Sequence, residues 1–213
     1  MPIENERKFV LNDDGRLEGE LARTPGVTRL VLTQAYLDSS GLRIRSIEAP
    51  DKTRHVFGYK RVVDGQMVEI ETDISKLDFD RLWKLRREHL HKVRYTWDDG
   101  RFHWDTDFFK TGGGRTYFAM AEVEMPEEDT EPPPIAPRLA SRLLALVPLG
   151  DPRFTSKRLA GQEHAELLCH LRGRRVVHDV LAEDGLHHLV GLGRVQHVVG
   201  RANDERIELA LRH

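Results

Sequence analysis

The chain has 213 residues, of which 32% are charged and only 7% aromatic, with a formal net charge of −2 and a pI near 6.6. That length supports one sizeable core, or one domain with an appendage, and the near-balance of sign excludes a general DNA-binding surface, which would be strongly basic. Cys169 is the sole cysteine, which excludes an internal disulfide, and no apolar run approaches the ~20 residues of a membrane span. With no apolar stretch ahead of the first motif, the expected location is the cytoplasm.

In chain order, residues 2–11 read as a first strand. Residues two apart in a strand share a face, so Glu4, Glu6 and Lys8 line up on one side. Asp13-Asp14-Gly15 opens a turn, and a short helix runs from Arg16 to Ala22 before Pro25-Gly26. Residues 28–37 have β-rich composition, and Asp38-Ser39-Ser40-Gly41 turns the chain. Leu42-Arg43-Ile44-Arg45-Ser46-Ile47 then alternates strictly and puts Arg43 and Arg45 on one face.

A strand over 54–62 carries Tyr59-Lys60, Asp64-Gly65 marks a turn, and Met67 to Thr72 presents Glu69 and Glu71 together. Ser75-x-x-Asp78 predicts a helix start, with an apolar stripe of Phe79, Leu82, Trp83 and Leu85 reaching about Glu88. Lys92 and Arg94 share a face, and after the hairpin signal Asp99-Gly100 so do Asp105 and Asp107. Lys110-Thr111-Gly112-Gly113-Gly114 reads as a plain loop or a lid, and Glu122 and Glu124 repeat the acidic pattern. Pro126 to Pro137 reads as a linker. Helices are expected near 138–147 and 162–172, and short strands within 175–213. Residues 1–172 form one expected domain and 173–213 a C-terminal extension.

Most of these strands carry charges in phase. A sandwich with a wetted polar face is one solution; a closed barrel with a polar lumen and helices over its apolar exterior is the other. The mixture of signs favours the barrel, because facing acidic and basic sets compensate each other around a bound anion and hard cations. The expected class is α+β, a closed antiparallel β-barrel with flanking helices and a C-terminal appendage. Arginine and lysine suit phosphoryl oxygens. Carboxylates would repel phosphate and would instead hold Mg²⁺ or Mn²⁺.

Glu4-x-Glu6-x-Lys8 resembles the ExExK signature of the CYTH, or triphosphate tunnel metalloenzyme, superfamily. The resemblance continues through Gln34-x-Tyr36-Leu37, Arg43-x-Arg45, Tyr59-Lys60, Glu69-x-Glu71, Lys92-x-Arg94-Tyr95, Trp104-Asp105-Thr106-Asp107 and Ala121-Glu122-Val123-Glu124. A looser match, Asp151-Pro152-Arg153-Phe154, follows, so the resemblance covers roughly residues 1–160.

It implies a tunnel of about eight antiparallel strands in which Lys8, Arg43, Arg45, Lys60, Lys92 and Arg94 grip a triphosphate. Glu4, Glu6, Glu69, Glu71, Asp107, Glu122 and Glu124 are the implied metal set, with Asp107 a better match than Asp105. Glu4, Glu6, Lys8 and Lys60 are the implied catalytic residues, and Mg²⁺ or Mn²⁺ the cofactor. The implied activity is hydrolysis of tripolyphosphate or an organic triphosphate. An adenylate cyclase making cyclic AMP and pyrophosphate, or a non-catalytic polyphosphate-binding module, are the alternatives. The expected partner is a triphosphate-containing small molecule or inorganic polyphosphate, with homodimerisation left open and neither DNA nor a membrane involved. Tyr36 and Trp104 read as packing residues, Cys169 as part of an apolar helical face, and His178, His187, His188 and His197 match no compact zinc spacing.

Overall fold

Strands that alternate charged and apolar residues have two incompatible faces, and this chain accommodates both by wrapping one sheet around a polar interior. The computed structural model describes residues 5–38, 41–64, 66–126 and 128–168. Its strands are β1 (Glu6–Leu11), β2 (Thr28–Leu37), β3 (Leu42–Glu48), β4 (Thr53–Val63), β5 (Gln66–Asp73), β6 (Arg86–Asp98), β7 (His103–Lys110), β8 (Thr116–Glu124) and β9 (Leu143–Leu146). Short helices accompany them, among the described residues α1 (Leu17–Ala22), α2 (Lys76–Trp83) and α3 (Ser156–Leu159), with residues 162–168 helical as well. Among the described residues the strands form one sheet in the order β5-β4-β3-β2-β6-β7-β8-β1-β9, antiparallel throughout. The class is α+β as expected. The sheet is not closed by hydrogen bonds: β5 and β9 are its two edges.

The outer face is apolar in two regions. Phe9, Leu11, Tyr95, Trp97, Trp104 and Val123 pack with Leu17 and Leu21 of α1 and with Ala136 and Leu139. Ala35, Leu37 and Ile44 pack under Phe79 of α2, whose first turn is capped by the Ser75 side chain accepting from the Asp78 backbone N–H. The inner face changes character along its strands. Lys8, Lys92, Asp107 and Glu122 each stand two residues from, and in phase with, Val10, Leu90, Phe109 and Met120 respectively. These pack against Phe154, Leu159, Ala165 and Leu168 from the end of the described chain. Charges therefore occupy one end of the interior and an apolar plug the other.

Three local expectations are corrected. The α2 helix stops at Trp83 rather than near Glu88, because Arg86 onward pairs with β2, Glu88 opposite Tyr36. The helix expected over 138–147 is a 3₁₀ turn, Pro137–Arg142, followed by β9, which pairs with β1 and covers what would otherwise be its open edge. The segment read as a linker is fastened to the sheet: the Asn5 side chain donates to the carbonyls of Pro126 (2.7 Å) and Asp129 (2.8 Å), and Arg7 to that of Thr130 (3.0 Å).

Residues 162–168 are helical, as expected for the start of that segment. Glu4, Cys169, the four C-terminal histidines and the strands expected in 175–213 lie outside the described residues. No helix among the described residues is long and apolar enough to cross a membrane.

Candidate functional site

The inner faces of β1 to β8 and the segment 147–157 enclose a cavity of about 730 Å³. Its walls carry Glu6, Lys8, Arg43, Arg45, Lys60, Glu69, Glu71, Lys92, Arg94, Glu122 and Glu124, so all but two of the singled-out site residues come together. Glu4 lies outside the described residues, and Asp107 sits beneath the wall. Asp105, the weaker match in sequence, lines the cavity.

Register explains that reversal. Asp107 is opposite Arg94 in the β6–β7 pairing, and its carboxylate accepts from Arg94 Nε and Nη2, both at 2.7 Å, and from Lys92 Nζ at 2.5 Å. It has no exposed surface. Its oxygens are committed to these two cations, so its place is to orient them. Asp105 is opposite Thr96 and Glu122, nearer the cavity, where Arg94 Nη1 donates to it. Arg94 thus bonds three carboxylates, Glu122 being the third at 2.9 Å. Burial disfavours its charge, but Asp107 foremost among the carboxylates holds the guanidinium well above its ordinary pKa. Burial and the Arg94 charge lower the pKa of Lys92.

Around β1 and β8, Lys8 Nζ donates to Glu122 Oε1 at 2.7 Å and lies 2.9 Å from Glu6 Oε1. Burial would depress the Lys8 ammonium, yet Glu122 and Glu6 outweigh it and raise its pKa. The converse holds for Glu122: burial would raise it, but Lys8, Arg94 and Lys92 hold it well below the usual carboxylate range. Glu124 is exposed and makes no ion pair among the described residues; it stands opposite Glu6 in one pairing and His103 in the other.

The opposite wall is built differently. Arg43 and Arg45, neighbours on β3, reach over β4 to the carboxylates of β5: Arg43 bonds Glu69 and Glu71, and Arg45 bonds Glu71. Lys60 lies 3.3 Å from Glu69. Burial, together with the like charge of Arg43, lowers the pKa of Arg45. Among the described residues, the Nε atoms of both arginines are buried with no hydrogen-bond partner. Two such buried donors are costly unless water or a ligand supplies the acceptor.

Four lining residues were given no site role by the sequence, although Gln34 and Asp151 belong to the motifs quoted above. His103 shares its face with Asp105; its Nδ1 lies 2.9 Å from Asp98 Oδ1 and its Nε2 2.9 Å from Thr96 Oγ1 and 3.5 Å from Asp105 Oδ1. Asp105 above all, with Asp98, lifts its pKa to about 9, so it is an imidazolium at neutral pH. Its phase with Asp105 and Asp107 was the available signal. Gln34, buried on β2, donates to the Tyr36 hydroxyl, so Tyr36 lines the cavity besides packing. Lys157 lies over the Tyr36 ring at 5.9 Å and Asp151 sits in the same wall, both from beyond the last strand, where no alternation points to them. Gly112 to Gly114 form the turn between β7 and β8 and do not line the cavity.

Divalent metal is the group the motif resemblance implies. The carboxylates facing the β1–β8 end form an oxygen-only donor set, which suits Mg²⁺ or Mn²⁺. Among the described residues no three carboxylate, histidine or cysteine side chains already converge as a metal cage. Mg²⁺ does not ask for one, since it keeps waters and is held by one or two carboxylates plus substrate phosphates.

No family model and no curated protein matches the chain. Among solved structures it is similar to the inorganic triphosphatase NE1496, at 22% identity over 75% of this chain and 95% of that one, with a TM-score of 0.44. It is also similar to the PH1819 protein of Pyrococcus horikoshii, at 16% identity over 85% and 99% with a TM-score of 0.43. A third, from Bacillus halodurans and described as a candidate adenylate cyclase, shares 18% identity over 59% and 82% with a TM-score of 0.40.

Proposed function

We propose that the chain is a divalent-metal-dependent triphosphatase that hydrolyses tripolyphosphate or an organic triphosphate in the interior cavity. The observation that carries this reading is the pair Arg43 and Arg45, side by side with buried, partnerless Nε atoms in a cavity also walled by Lys8, Lys60, Lys92 and Arg94. These six cations, in a cavity that His103 and Lys157 also line, exceed what a single phosphate needs and match the extended charge of a triphosphate. Closure of the β5 and β9 edges around the ligand would complete the tunnel that the motifs imply.

Arg43, Arg45 and Lys60 would hold one end of the anion, exchanging part of their bonding to Glu69 and Glu71 for phosphoryl oxygens. Lys8 would meet the other end, where Glu6 and Glu124, with Glu4 and an oxygen of Glu122, would hold the metal. Bound there, Mg²⁺ or Mn²⁺ supplies phosphoryl polarisation and a water of lowered pKa. Arg94 and Lys92, fixed by Asp107, would keep Glu122 ionised and in place.

The test is incubation of the purified chain with tripolyphosphate, ATP and thiamine triphosphate, each with Mg²⁺ or Mn²⁺, with all products resolved. Orthophosphate release, lost in Glu4→Gln and Lys60→Ala, is expected. Full activity in both variants overturns the reading. Cyclic AMP with pyrophosphate would make the chain a cyclase, and triphosphate binding without turnover would make it a binding module.

A further inference from the structure

The row of inner-face residues running across β2, β3, β4 and β5 is Tyr36, Arg43, Gly58 and Glu71. Three are large, and the fourth has no side chain. Glycine in a strand interior weakens the strand and often marks a close approach by another group. Backbone conformation does not require it here, because Gly58 is not among the residues with positive φ.

The space tells more. A Cβ on Gly58 would lie 3.3 Å from Glu71 Oε1 and 3.4 Å from both Cγ and Nε of Arg43. All three atoms belong to groups already pinned by ion pairs: Arg43 to Glu69 and Glu71, and Glu71 to Arg43 and Arg45. Arg45 stands opposite Val56 and Glu71 opposite Gly58, so the Arg45 arm reaches its partner on the diagonal across β4. The gap above Gly58 is therefore the passage by which two like-charged arginines converge. It also borders the Arg43 Nε, one of the buried donors left without an acceptor.

We propose that Gly58 is a positioning residue whose missing side chain opens a notch in β4. The notch lets Arg43 and Arg45 lie across the strand, and with Glu71 displaced by the ligand it would let one phosphoryl group of a polyphosphate approach the Arg43 Nε. This rests on the triphosphate reading above and adds to it the place where one end of the anion docks. Filling the notch pushes on Arg43 and crowds the place that Glu71 would leave to the oxygen.

The experiment compares the full chain with Gly58→Ala and Gly58→Val by calorimetric titration with inorganic tripolyphosphate and by thermal melting. Alanine and valine suit a strand better than glycine, so a merely structural glycine predicts an unchanged or raised Tm with unchanged binding. The notch predicts tripolyphosphate Kd weakened at least tenfold in the variants that remain folded, whether or not the strain on Arg43 lowers Tm. On the unsubstituted protein, the arginine Nε–H NMR signal that Arg43→Lys deletes is expected to move on addition of tripolyphosphate. That measurement decides the matter if either Gly58 variant fails to fold. Variants that bind within twofold of the parent, or an Arg43 signal unmoved at saturation, overturn the notch while leaving the triphosphate reading intact. Absence of tripolyphosphate binding by the parent itself overturns both.

Discussion

Lys8 and Glu122 stand opposite each other in the β1–β8 pairing with Nζ 2.7 Å from Oε1, and the second oxygen of Glu122 accepts from Arg94 at 2.9 Å. One carboxylate thus joins a cation at the first strand to the buried network of β6 and β7. Removing Lys8 leaves Glu122 partly desolvated with one partner fewer, the situation in which a broken ion pair is most destabilising. Lys8→Met is expected to lower stability by about 3 kcal/mol in urea unfolding. The double variant Lys8→Met/Glu122→Leu should lose less than the sum of the two single variants. Additive losses would show that the two residues are energetically independent.

Asp107 is the sharper case. It is fully buried, and Lys92, with 4% of its side chain exposed, has it as its ion-pair partner among the described residues. Asp107→Asn leaves two buried cations facing a neutral amide, and a loss of about 3–5 kcal/mol is expected. Asp105→Asn, nearer solvent, should cost clearly less. Chemical denaturation of both variants checks the ranking; equal losses would mean that burial is not what separates them.

The positions of these residues were legible in the sequence, and their partners were not. Arg43, Arg45, Glu69, Glu71, Lys92, Arg94 and Glu122 announce their shared face through a period of two, which needs only local information. Asp105 and Asp107 obey the same period equally well. What sinks one beneath the wall and leaves the other lining the cavity is register, Arg94 against Asp107 and Thr96 against Asp105, which is set by pairing across strands. β9 was hidden for a similar reason: Leu143, Leu144 and Leu146 suit a helix or a short strand, and only the bare edge of β1 decides between them. The plug was written in plain alternation, since Val10, Phe109 and Met120 continue the charged rows in phase. The residues that complete it, Phe154 to Leu168, arrive from far along the chain.

Acid and alkaline limits follow from opposite shifts. Glu122 and Asp105 have carboxyls held below their ordinary values of 4.5 and 3.8. Their contribution is present above those values and is lost as pH falls through the lowered ones, so acid unfolding begins below about pH 4. His103 shifts the other way, from 6.5 to about 9. Its interactions with Asp98, Asp105, Thr96 and Glu124 contribute fully below pH 6.5, and the contribution disappears as pH rises through about 9. The ring is more than a third exposed, so solvent screens the effect and the slope is shallow. Melting temperature is expected to decline across this window in the parent and to stay flatter in His103→Gln. Parallel profiles would remove the imidazolium from the account.

Phe154 tests whether the apolar end of the interior supports the charged end. It has no exposed surface, packs near Phe118 with ring centroids 6.5 Å apart, and precedes α3, whose Leu159 carbonyl accepts from the Tyr117 hydroxyl at 2.9 Å. Phe154→Ala leaves a cavity in the plug and should lower stability by about 3–5 kcal/mol. Flanking residues Asp151, Pro152 and Lys157 line the polar cavity, so the loosened segment should also weaken tripolyphosphate binding, measured at a temperature where the variant remains folded. Phe154→Leu refills most of the volume and should recover both properties together. Recovery of stability without recovery of binding would show that the plug holds the fold but does not shape the site.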